Sequence, residues 1–112
     1  MKIDMQEDYI QEIAYGEDYE AMLKCLSNGI KELKQVKDLY FAGKLKDKEA
    51  REMADAIEEK YKPVKDSLDK ANNEGELNYS QHKKQMKLFG EMLKLYNDIF
   101  NHVVGDIIDA LR

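Results

Sequence analysis

The chain has one cysteine, one proline, two histidines and no tryptophan among its 112 residues, and each scarcity excludes something. A single Cys25 cannot close an internal disulfide. In the spacing Met22, Cys25, Leu26, Gly29 it sits beside an apolar helical stripe, where cysteine behaves as a small hydrophobe. One proline and six glycines supply few chain breakers, and the β-branched runs of a sheet protein are missing, so no strand is expected. Two histidines and no glycine-rich phosphate loop leave no nucleophile, base and orienting group to assemble. Carboxylates such as Glu58 and Glu59 are adjacent in sequence and diverge around a helix. The chain reads as a non-enzyme, with no cofactor or metal expected.

No apolar stretch approaches the ~20 residues that span a bilayer, and the start Met1-Lys2-Ile3-Asp4 lacks the basic and apolar run of a secretory leader. No membrane partner is expected, and a reducing, cytoplasmic setting is.

What is present is 43% hydrophobic and 37% charged residues, too apolar for a disordered chain and charged enough to suit long amphipathic helices. The length is that of one domain, residues 1–112, with one core. The net charge of -5 is polarised. Asp4, Glu7, Asp8, Glu12, Glu17, Asp18 and Glu20 face only Lys2 within residues 1–21, so seven acids less one lysine leave -6 there and +1 on the remainder. The lysine clusters at 31, 34 and 37 and at 83, 84 and 87 are short and diluted by acids, which argues against direct nucleic-acid binding.

Periodicity divides the chain into helices. Met5, Tyr9 and Ile13, with Ile10, predict a short acidic helix over 4–15. Met22, Leu26, Gly29, Leu33, Val36 and Tyr40 alternate in steps of four and three and predict a helix over 18–42, capped by residues around Gly16 to Asp18 and ended by Gly43. Ala50, Ala54, Ile57, Tyr61, Val64, Leu68 and Ala71 predict a helix over 47–74, with Asp47 as cap and a kink at Pro63. Met86, Phe89, Met92, Leu93, Tyr96, Ile99, Phe100 and Val103 continue to Leu111 and predict a helix over 80–111 with Ser80 as cap and an unusually wide apolar arc. The last three would be roughly 37, 42 and 48 Å long at ~1.5 Å per residue. Short connections then predict an all-α, elongated, antiparallel three-helix bundle with an additional short N-terminal helix, whose acids fall near Lys83, Lys84 and Lys87.

Asp98, His102 and Asp106 share one helical face, but a bundle metal site needs ligands from facing helices, and a solvated His-carboxylate stripe is the expected reading. His82, at a helix start among cations, is expected in solvent. Tyr19, Tyr40, Tyr61 and Tyr96 fall on apolar stripes and are assigned to the core. Tyr15 does not, and it is the preferred contact residue among acids. Phe41-Ala42-Gly43 resembles a variant of the Trp-x-Gly turn of the small helical-hairpin substrates of type VII secretion. The resemblance stops at those three residues: Lys65 and Phe100 stand where the family's export signal would place an acid after Tyr61 or Tyr96, and a third long helix exceeds a hairpin.

The last helix is expected to outrun its neighbours, leaving Val104, Ile107, Ile108 and Leu111 uncovered and available for self-association, most simply as a homodimer. The functional expectation is a non-enzymatic protein-protein interaction module, an adaptor, regulator or inhibitor acting by occupying a surface. The alternative is a small acidic inhibitor of a nucleic-acid-binding enzyme, of phage or mobile-element type, whose recognition element is Asp8, Glu12, Tyr15 and Asp18.

Overall fold

The computed structural model describes residues 7–112. Among them are four helices and no strand: α1 (Glu7–Tyr15), α2 (Tyr19–Phe41), α3 (Asp47–Asn73) and α4 (Tyr79–Ala110). Met5 and the other N-terminal positions assigned to the first helix lie outside the described residues.

The helix ends follow local chemistry. Asp18 caps α2 by accepting from the Ala21 amide at 3.1 Å. Gly43, at φ 77°, ends it: the Gly43 amide donates to the Tyr40 carbonyl at 3.0 Å and the Lys44 amide to the Leu39 carbonyl at 2.9 Å. Gly75, at φ 73°, repeats this at the end of α3, with Glu76 donating to Ala71 at 2.8 Å. Both are left-handed termini that glycine enters without a Cβ penalty. The expected caps of α3 and α4 are different residues. At α3 the Glu49 carboxylate accepts from the Lys46 amide at 3.1 Å, and Asp47 is the first helical residue. At α4 the cap is Asn78, not Ser80: Asn78 and Gln81 form a reciprocal box with bonds of 2.8 and 3.1 Å. α3 is one continuous helix through Pro63.

The stripes of α2 and α3 point inward as their spacing requires. Met22, Leu26, Leu33 and Val36 bury against Ala54, Ile57, Val64 and Leu68 in one core that Met92, Ile99 and Val103 of α4 complete. Gly29 lets α2 and α3 approach, since a Cβ there would stand 3.1 Å from the Tyr61 ring. Contacts between α2 and α3 link Gly29 to Tyr61, Glu32 to Lys60 and Tyr40 to Asp47. α3 and α4 meet through Asp69 and Gln85, Lys65 and Phe89, and Asp55 and Tyr96. The molecule measures 51 × 27 × 18 Å.

α1 turns a different face inward from the one its spacing suggested. Ile10 and Ala14 are buried, Ile13 is partly buried and Tyr9 is exposed. The helix packs on α3 and α2, and Ser67 donates to the Ala14 carbonyl at 2.7 Å. Its acids therefore lie away from the start of α4. There the nearby acid is Glu20 of α2, 4.0 Å from Lys84 and bonded to Gln81 at 3.2 Å.

Candidate interaction surface

Two surfaces and two polar clusters stand out. The first surface is α4. Its inner side buries Gln85, Met92, Ile99 and Val103, but Met86, Leu93 and Phe100, which its spacing assigned to the core, face solvent. Leu93 is 60% exposed, and Ile107, Ile108 and Leu111 are also open, while Val104 is half-buried. Phe100 stacks on Tyr96 with ring centroids 6.2 Å apart, and Tyr96 is tied to α3 by a hydrogen bond of 2.5 Å to Asp55. The strip is thus held rigidly against the fold on one edge. The signal that could have revealed it is the sevenfold spacing of Met86, Leu93, Phe100 and Ile107, one residue out of phase with the buried row Gln85, Met92 and Ile99.

The second surface is the outer face of α1. Asp8 and Glu12 are exposed there with Tyr15, which is 82% exposed. The structure brings these three together on one side of a helix. Asp18 is exposed too, but its carboxylate is engaged as the α2 cap.

Between α2 and α3, Glu32 and Lys60 form an ion pair at 2.5 Å, both nearly buried. The Tyr61 hydroxyl donates to Glu32 and accepts from Asn28 at 2.8 Å. Burial, and then the bond to Glu32, push the Tyr61 phenol well above its usual range. Nearby Cys25 is pushed up to about 11, chiefly by burial, so its thiol is unreactive at neutral pH. This network was missed in the sequence because Glu32 lies among exposed-type charges, one residue before Leu33.

At the far end of α4, the Tyr40 hydroxyl donates to Asp47 and stands 3.4 Å from Asp106, whose carboxylate is 3.7 Å from His102. The hydrogen bonds from Tyr40 and Asp106 lower Asp47, and the same contact with Asp47 raises Asp106. The Tyr40 and His102 rings meet edge to face at 5.0 Å. Asp98, read with His102 and Asp106 in one stripe, instead pairs with Lys37 of α2 at 2.9 Å. His82, expected in solvent, is half-buried against Asn72 at 2.7 Å. No group of three or more His, Cys, Asp or Glu side chains that could hold a metal occurs among the described residues, and no helix among them is long and apolar enough to cross a membrane.

Compared with known families, curated proteins and solved structures, the chain matches none.

Proposed function

We propose that this chain is a non-enzymatic protein-protein interaction module, built as an elongated antiparallel three-helix bundle with a short helix laid across α2 and α3, and that it acts by occupying a surface and self-associates. The observation that carries this is the uncovered apolar side of α4. Large apolar side chains held in one strip are costly to leave in water and mark interaction sites in folded proteins. Val104, Ile107, Ile108 and Leu111 form the C-terminal end of that contact. Light scattering on the wild type and on a variant with Ile107→Asp and Ile108→Asp tests it. The wild type is expected as a dimer whose mass is indifferent to salt, and the variant as a folded monomer. An unchanged mass in the variant sinks the C-terminal interface.

The outer face of α1 favours a second reading, in the class of acidic inhibitors of nucleic-acid-binding enzymes. Asp8 and Glu12 present adjacent negative charge beside the exposed ring of Tyr15, which suits a basic groove. Association through this face should weaken steeply with added salt and with Asp8→Lys and Glu12→Lys, whereas apolar association should barely respond. Binding that survives both changes excludes this face.

A further inference from the structure

Along α4, Met86, Gly90, Leu93, Asn97, Phe100, Val104, Ile107 and Leu111 follow one another in unbroken steps of four and three. Seven of the eight are exposed and Val104 is half-buried. This is a second heptad seam, on the same helix as the buried row and roughly a quarter-turn away from it. A repeat of 3.5 residues kept over 26 residues, about 39 Å of helix, matches another helix winding left-handedly against it.

Gly90 lies inside this seam. In a helix interior glycine costs about 1 kcal/mol relative to alanine, yet a Cβ on Gly90 would meet nothing within 4 Å. The chain's own packing does not require it. Gly105, which lies off the seam, is equally open; within the seam, Gly90 leaves room for a bulky side chain of a partner.

We propose that this seam is the interface for a second copy of the chain, the two α4 helices packing antiparallel about a twofold axis. The proposal rests on the self-association reading above and extends the contact from the C-terminal end to the whole helix. Its sense follows from charge. Lys83, Lys84, Lys87 and Lys94 outweigh Glu91 in the N-terminal half of α4, and Asp98, already paired with Lys37, joins Asp106 and Asp109 in the C-terminal half. Parallel copies would set like halves together, while antiparallel copies set opposite halves together, with the helix dipoles also opposed. Layers also match: an axis between Asp98 and Ile99 sets Met86 against Leu111, Leu93 against Val104, and small Gly90 against Ile107 of the other copy. Asn97 then falls beside the centre, against Phe100 of the other copy, where a polar residue in the seam costs affinity. At roughly 200 Å² per large side chain, the exposed seam offers about 500 Å² per copy, so a pair reaches the ~1,000 Å² that a biological interface should clear, below the range of the tightest ones.

The test is sedimentation equilibrium of the full chain over a wide concentration range, with circular dichroism on each variant. Leu93 and Met86 take no part in the buried core, so Leu93→Glu and Met86→Glu should keep the helicity. Each should raise the dimer dissociation constant about 100-fold or more by placing a charge in an apolar layer. Asn97→Leu should lower it. Orientation is read on a Cys25→Ser background: Met86→Cys and Leu111→Cys chains should form a disulfide when mixed, and Met86→Cys alone should not. Self-linking of Met86→Cys overturns the antiparallel sense. A dimer that persists with Leu93→Glu but is lost with Ile107→Asp and Ile108→Asp overturns the seam and leaves the C-terminal interface standing. A wild type that stays monomeric throughout overturns both self-association readings and leaves the surface of α4 to a foreign partner.

Discussion

The ring of Tyr61 closes over the α-carbon of Gly29: a Cβ added there would lie 3.1 Å from two ring carbons and 3.3 Å from a third. Tyr61 is fully buried and its hydroxyl is held at both ends, donating to Glu32 and accepting from Asn28, so the ring cannot withdraw. Gly29→Val should therefore destabilise the fold by about 2–3 kcal/mol through overpacking, as read from urea unfolding. A loss below about 0.5 kcal/mol would mean that α2 and α3 separate freely.

The ion pair of Glu32 and Lys60 sits where neither charge can be left alone. Lys60→Met strands a buried carboxylate and is expected to cost about 3–5 kcal/mol. The triple change Glu32→Leu, Lys60→Met, Tyr61→Phe removes the network together and should cost less than Lys60→Met alone. If the single variant proves the milder one, the pair is more hydrated than its geometry indicates.

Alkali should unfold the protein. Cys25 is pushed up to about 11 by burial, and Tyr19 to about 12, first by its hydrogen bond to Glu76. Tyr40 and Tyr61 are raised by burial and then by carboxylate bonds. A group whose folded value is raised stabilises below its ordinary value, 9.0 for the thiol and 10.0 for the phenols, and loses that contribution as pH rises through the folded one. Urea midpoints should hold level from neutrality to about pH 9 and fall steeply towards pH 12. A thiol reagent at pH 8 should label Cys25 only on unfolding. Rapid labelling of the native protein would contradict the buried thiol.

The start of α4 rests on Asn78. Asn78→Ala should cost about 1 kcal/mol and Ser80→Ala almost nothing, since Asn78 alone accepts from the third helical amide. Thermal melts of the two variants decide between the caps. The sequence reading took Ser80, and Asn78 holds the cap because Gln81 returns a bond to the Asn78 amide and completes the box.

How far the sequence could be read depended on how many neighbours each helix acquired. Ala50 to Ala71 in α3 and Met22 to Tyr40 in α2 were legible because each stripe has one buried side and every member of it is buried. The face of α1 was not legible, since Tyr9, Ile10, Ile13 and Ala14 allow two registers and only the groove of α2 and α3 chose Ile10 and Ala14. The apolar arc of α4 was read as one broad core face. It is two seams, because α2 and α3 cover only the side of Gln85, Met92 and Ile99. Glu32, Lys60 and Asn28 carry no period of their own, and their pairing exists only across two helices.

By itself, the sequence determined the all-α class, since periodicity and the glycines at 43 and 75 act over a turn or less of chain. Tertiary structure alone decided which side of α1 is buried, that Glu32 and Lys60 meet in the core, and that Met86, Leu93, Phe100 and Ile107 of α4 remain exposed. Those outcomes depend on which surfaces come within contact distance across tens of residues, and no local spacing encodes that.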